Sequence, residues 1–198
     1  MTRPPRARRS TRRGRRSGEE RTEILTFEGS FHGRSTGAIA AAVSAAAVSK
    51  VAMAALPECG KALAKIGEIY RAYDYNDATS FRFSRTGVWL EINQAIPAEN
   101  NVTMVPAPDA SMRDRLESLS SGENWAGVLE AADAITVEAP LWLDPQRYAA
   151  DALDKLGAAD ARTALVRELA YLLVRSPGLH TFQFNDGTPL ADETTRGW

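Results

Sequence analysis

The sequence predicts an all-α protein, an array of antiparallel helical hairpins behind a disordered, arginine-rich N-terminal arm. Two observations carry the helical part. Apolar residues recur three and four apart from Cys59 to Leu173, the spacing of one helix face. Breakers at Gly122, Pro140, Gly157 and Ser176-Pro177-Gly178 interrupt that spacing at short intervals, which makes consecutive helices antiparallel neighbours. The third is composition: 198 residues, 44% hydrophobic and 25% charged, fit a soluble globular domain plus an arm. No strict internal repeat is present, which argues against a regular solenoid.

Residues 1–20 show no apolar periodicity and read as a disordered arm. Arg3, Arg6, Arg8, Arg9, Arg12, Arg13, Arg15 and Arg16 precede the first acidic residue. The overall charge of -1 therefore hides an acidic body, with 16 basic against 25 acidic residues in the remainder. Such an arm can neutralise phosphates, which makes a nucleic-acid-binding accessory protein the alternative function. No aromatic lies among the arginines to stack on a base, so nucleic acid is not the expected partner.

Residues 21–55 form a second segment, ending in the alanine-rich run Thr36 to Leu56. Ser44, Ser49 and Lys50 interrupt that run, and alanine is a weak membrane former, so no membrane insertion is expected. Glu19, Glu20, Glu23 and Glu28 separate the arginines from the apolar run, unlike a signal peptide. The Arg-rich start does share the composition of an organelle transit peptide. A cytoplasmic protein with a soluble helix over the run is the expectation.

Residues 56–198 form the main domain. Cys59, Leu63, Ile66 and Tyr70 fall on one helix face. Thr79 to Ile92 is ambiguous: Phe81 and Phe83 alternate like a strand, whereas Val88, Trp89 and Ile92 suit a helical turn. Pro97, Pro106 and Pro108 make Ile96 to Pro108 an extended loop. Asp109 or Ser111 caps the next helix, with Met112, Leu116 and Leu119 on one face and Gly122 at its end. Trp125, Val128, Leu129, Ala132 and Ile135 line the following helix, which Pro140 stops. Asp144-Pro145 reads as an N-cap followed by proline at the first helical position, before the stripe Tyr148, Ala149, Ala152, Leu153 and Leu156. Gly157 stops that helix, and the next, from about Asp160, turns Leu165, Val166, Leu169, Leu172 and Leu173 inward. Phe182 and Phe184 then alternate in a short extended segment, and Asn185-Asp186-Gly187 signals a turn. Asp192 or Thr194 can cap a further helix, but the sequence stops at Trp198 and reads as cut short.

No catalytic constellation emerges. There is no Gly-rich phosphate loop, no His-Glu-x-x-His and no Gly-x-Ser-x-Gly elbow. The single Cys59 reads as a buried thiol, and with only His32 and His180 no metal site is expected. The pairs Glu130/Asp133 and Asp151/Asp154 read as solvated acidic faces. Trp89, Trp125, Trp142 and Trp198 read as core aromatics rather than a binding surface.

Four runs carry a resemblance to the TssA/VasJ/ImpA-like proteins of the bacterial type VI secretion system. They are Phe81-Arg82-Phe83-Ser84-Arg85 with Val88-Trp89-Leu90, Asn124 to Leu129, Leu141-Trp142-Leu143-Asp144-Pro145-Gln146-Arg147-Tyr148, and Arg175-Ser176-Pro177-Gly178-Leu179 through Phe184 to Asp192. The resemblance covers about residues 56–198 and matches the middle domain of that family. It implies an all-helical, oligomerising assembly component of baseplate, tail tube and sheath, with no enzymatic activity and no cofactor. The amino-terminal ImpA-type domain and the carboxy-terminal ring-forming region of full-length members are not visible. Trp125, Trp142, Asp144, Tyr148, Phe184, Asp186, Gly187 and Trp198 are the candidate family-motif or interaction residues.

Within residues 20–44, the stretch Glu23 to Arg34 (Glu-Ile-Leu-Thr-Phe-Glu-Gly-Ser-Phe-His-Gly-Arg) resembles class III, PLP-dependent aminotransferases of the acetylornithine type. That resemblance would place Phe31 against the PLP ring and Arg34 on a substrate carboxylate. PLP chemistry also needs a Schiff-base lysine and a phosphate cup. Lys50, Lys61, Lys65 and Lys155 are the only lysines, none in such a context. The segment therefore reads as a fusion remnant, and an inactive aminotransferase-derived fusion is a further alternative. Self-association and contacts with baseplate, tube or sheath proteins are the expected partners.

Overall fold

A computed structural model describes residues 45–92 and 96–198. The arginine arm, the aminotransferase-like segment and residues 36–44 lie outside the described residues. Residues 50–198 form one compact unit. Among the described residues there are seven α-helices and one two-stranded hairpin, an all-α architecture.

Helix α1 (Ala45–Tyr73) runs unbroken through Pro57, and α2 (Ala78–Val88) follows after a four-residue turn. The Asp77 carboxylate accepts from the Thr79 amide at 2.7 Å and so caps α2. The stretch that is ambiguous in sequence is thus a helix up to Val88. Phe81, Arg85 and Trp89 are four apart and all buried, whereas Phe83 is only half-buried, so the Phe81/Phe83 alternation is incidental.

The pairing of α1 with α2 rests on glycine rather than on the predicted stripe. A Cβ placed on Gly60 would lie 2.7 Å from the Gly87 carbonyl oxygen, and one on Gly67 would lie 2.5 Å from that of Ser80. The backbones therefore touch in antiparallel register. This turns Gly60 and Gly67 inward and leaves Cys59, Ile66 and Tyr70 exposed, with Leu63 half-buried. Cys59 is correspondingly an exposed thiol, not a buried one.

The core is built by α3 (Ala110–Ser121), α4 (Trp125–Glu138), α5 (Asp144–Lys155) and α6 (Ala159–Arg175). Consecutive members pack on one another, and α2 seats on α6 across some seventy residues of sequence. Leu116, Val128, Ile135, Leu153, Leu165 and Leu172 are fully or almost fully buried. Burying each stabilises by roughly 1.5–3 kcal/mol against the entropy of ordering the chain. Asp109 caps α3 through the Ser111 amide (2.8 Å), and Asn124 caps α4 through that of Gly127 (3.1 Å). Gly157, at φ +72, ends α5 as its sequence position predicts.

The proline-rich stretch, expected to be an extended loop, contains a small hairpin, β1 (Ala98–Glu99) with β2 (Val102–Thr103). Its turn residues Asn100 and Asn101 take positive φ, which asparagine tolerates. Beyond a 3-10 turn at Leu179–Thr181, the closing segment lies along β2. Thr103 N–H donates to the Gln183 carbonyl at 2.9 Å and Gln183 N–H to that of Asn101 at 2.8 Å. The short helix α7 (Glu193–Gly197) is capped by Asp192, which accepts from the Thr195 amide at 2.6 Å.

Candidate functional site

Two buried polar clusters and one open groove organise the domain. The first cluster centres on Asp133, whose side chain is 3% exposed. Nε of Arg71 on α1 lies 2.7 Å from one carboxylate oxygen, and Nη1 of Arg85 on α2 lies 2.6 Å from the other. These are ion pairs rather than aligned hydrogen bonds, since neither oxygen meets a donor along its N–H direction. Arg85 Nε donates to Gln146 Oε1 at 2.8 Å, and Gln146 Nε2 donates to the Thr136 hydroxyl at 2.8 Å. Thr136 in turn donates to the Ala132 carbonyl at 2.7 Å. Both guanidiniums sit over the Phe81 ring, at 5.8 and 5.7 Å from its centroid. One carboxylate thus joins α1, α2 and α4, and Gln146 extends the link to α5.

Asp133 is therefore no part of a solvated acidic face. A carboxylate survives burial only when paired, and here two cations hold it. Asp151, also expected on such a face, is half-buried 3.7 Å from Arg147; burial raises its pKa despite the nearby Arg147 and Arg162. Glu130 and Asp154 are exposed.

The second cluster joins the start of α5 to the closing segment. Asp144 is 1% exposed and gives its own helix no cap, contrary to its predicted role. Its Oδ2 accepts from the Trp142 indole at 2.8 Å, and its Oδ1 accepts from the Asp192 amide at 2.8 Å. Arg113 stands over the Trp142 ring at 5.4 Å. Arg147 donates to the Thr195 hydroxyl at 3.1 Å, lies 3.6 Å from Asp192 and covers Tyr148 at 4.4 Å. Burial tends to raise the Asp192 pKa, but hydrogen bonds from Thr195 and the charges of Arg147 and Arg113 outweigh it and hold the carboxyl low.

The comparison with protein-family models decides the family. Residues 53–198 match the family described as Type VI secretion, EvfE, EvfF, ImpA, BimE, VC_A0119, VasJ. The chain belongs to this VasJ family. A comparison with curated proteins gives no match. The match covers all of α2 to α7 and most of α1, so both polar clusters lie inside the type VI secretion region.

The VasJ-family region brings several candidate residues together. Trp142, Asp144 and Tyr148 meet the closing segment through Asp192 and Arg147, and Phe184 is buried in the core. Asp186 and Gly187 form the turn that returns the chain onto itself. Gly187 has φ +86, and hydrogen bonds from the Thr188 hydroxyl and amide hold the Asp186 carboxyl below its ordinary pKa. Trp125 stands apart at the start of α4, half-buried, with the Lys155 ammonium 5.9 Å from its ring. Trp198 is 43% exposed beside Val166, Leu173 and Ala191. Of the four tryptophans read as core, Trp89 and Trp142 are fully buried; Trp89 donates to the Pro140 carbonyl at 2.9 Å.

Sequence reasoning missed Arg71, Arg85, Asp133 and Gln146 as a unit. A signal existed for two of them. Arg85 lies midway between Phe81 and Trp89 on one face, and Asp133 is one turn from Leu129 and two from Trp125. Opposite charges on two apolar faces invite pairing, though their 48-residue separation hides which face meets which. Among the described residues no group of three or more His, Cys, Asp or Glu is placed to hold a metal, and no helix is long and apolar enough to cross a membrane.

Proposed function

We propose that the chain is a non-enzymatic, cytoplasmic assembly component of a type VI secretion system that works through contacts with copies of itself and with baseplate, tube or sheath proteins. One observation supports this reading above others. Ile66, Ile69, Tyr70 and Tyr73 occupy one face of α1 at helical spacing and are 39%, 58%, 45% and 95% exposed. An apolar stripe left in water is a contact surface in search of a partner. The buried carboxylates Asp133 and Asp144, by contrast, are committed to internal partners, which suits a scaffold better than acid–base chemistry.

The stripe serves contact because the glycine face of α1 already fills the role a core stripe would have. Of the candidate residues, Trp198 and Asp186 are at the surface and available to a partner, whereas Trp142, Asp144 and Phe184 shape the surface from beneath. The test is light scattering of the full chain over a concentration series, with co-sedimentation against purified sheath, tube and baseplate proteins. Association that disappears in Ile69→Glu and Tyr73→Glu supports the reading. A chain that stays monomeric and binds none of them overturns it.

A further inference from the structure

An open groove of about 860 Å³ runs between α1 and α4, on a different side of α1 from the exposed stripe. Ala64 and Ala72 of α1 and Leu129, Ala134 and Val137 of α4 give it apolar walls. Arg71 and Arg85 also line it, beside Asp133. Two guanidiniums share a single carboxylate there, so the buried cluster keeps one uncompensated positive charge, while Glu68 and Glu130, both exposed, also line the groove. One nitrogen of each, Nη1 of Arg71 and Nη2 of Arg85, has no hydrogen-bond partner. Both of these nitrogens are themselves buried. Arg85 as a whole is 1% exposed and Arg71 16%, so Arg85 supplies charge from below while a ligand meets Arg71 through its exposed part. Lys61 and Lys65 also line the groove; their glutamate partners at 2.8 and 2.7 Å are exposed, and such pairs exchange readily for a better one.

Unmet cationic donors beneath apolar walls call for an anion attached to an apolar body. We propose that the groove docks an apolar segment of a partner protein that presents an aspartate or glutamate carboxylate to Arg71. A free small acid would satisfy the charge but leave most of the 860 Å³ unfilled. The inference rests on reading the chain as a module of protein contacts, but it does not depend on the outer stripe of α1.

The test uses the full chain with isotope-labelled arginines and follows the Nε–Hε signals of Arg71 and Arg85 by NMR. The probes are 3-phenylpropionate, its amide and acetate. The carboxylate on an apolar ring should shift both signals, with the amide and acetate at least about tenfold weaker. Ala72→Trp, at an exposed wall position, should fold normally and abolish the shift. Equal binding of the amide would make the groove a purely apolar trough, and equal binding of acetate a small-anion site; each overturns the proposal. So do unmoved arginine signals, shifts that persist in Ala72→Trp, or shifts driven by chain concentration alone, which would make a second copy the occupant. Any of these leaves the association tests of Ile69→Glu and Tyr73→Glu untouched, so the two readings fail separately.

Discussion

The Trp142 indole donates to one oxygen of Asp144 at 2.8 Å while the Asp192 amide donates to the other at 2.8 Å, so a single buried carboxylate fastens the closing segment to α5. Backbone bonding reinforces this: Leu143 N–H donates to the Leu190 carbonyl at 2.7 Å. Two runs that lie some forty residues apart in sequence, Leu141 to Tyr148 and Phe184 to Asp192, therefore form one structural unit. Their chemistry follows: an acceptor is needed where an indole N–H and a backbone N–H are buried together.

Asp144→Ala should cost about 2–5 kcal/mol, because it strands both donors in the interior. The drop in the urea midpoint measures this, and faster proteolysis within residues 185–198 shows where the damage falls. Asp144→Asn keeps one acceptor oxygen but turns an NH₂ toward the other donor, so it should recover only part of the loss. A cost below about 1 kcal/mol would mean the closing segment is held by its apolar contacts alone.

Asp133→Ala should cost about 3–5 kcal/mol by leaving two guanidiniums unpaired in the interior. Arg85→Met alone should also destabilise, since Gln146 then loses its donor. Combined with Asp133→Ala, the total should fall short of the two single costs added together, because each removes the other's stranded charge. Additive urea-unfolding energies would show that Arg85 and Asp133 do not act as a pair.

What the sequence revealed and what it concealed divide along the range of the interaction. Caps at Asp109, the stop at Gly157 and the turn at Asn185-Asp186-Gly187 are legible because the residues that decide them are neighbours. So are the buried faces of α4 to α6, whose apolar residues greatly outnumber polar ones at core positions. Two things were not legible. A glycine face on α1 carries no hydropathy, so the periodic residues Cys59, Ile66 and Tyr70 drew attention to the side that faces water. The second is the role of Asp133 and Asp144: a carboxylate reads as exposed until the arginine or indole that meets it is known. Both partnerships of Asp133 cross between helices far apart in the chain, and local spacing holds no record of them.

Stability should fall with acid through Asp192. Its folded pKa lies below the ordinary 3.8, with burial opposed by the Thr195 hydrogen bonds and by Arg147 and Arg113. A carboxyl lowered on folding contributes stability that is present above its unfolded pKa and is lost as pH falls through the folded one. The docking of α7 should therefore weaken below about pH 4. The Thr195 amide proton, which donates to Asp192 at 2.6 Å, should lose its hydrogen-bonded shift over that window. Asp192→Asn should flatten this dependence at higher pH stability no greater than that of the parent; an unchanged acid transition would place the loss elsewhere.

Gly67→Ala sets two effects of opposite sign against each other. In a helix interior, alanine is favoured over glycine by about 1 kcal/mol, so local propensity alone predicts stabilisation. The added Cβ would, however, lie 2.5 Å from the Ser80 carbonyl oxygen and 2.7 Å from the Ser84 backbone nitrogen. Backbone atoms cannot rotate aside as the end of a long side chain can, so α1 must move off α2. That displacement pulls Arg71, one turn further along α1, away from Asp133. Overpacking costs of about 1–3 kcal/mol should outweigh the propensity gain, giving a net loss in thermal unfolding. Hydrogen exchange should accelerate across residues 60–73, while Gly197→Ala, where nothing lies within 4 Å of the new Cβ, should leave those amides unchanged. Stabilisation by Gly67→Ala would show that the two helices do not make backbone contact at this point.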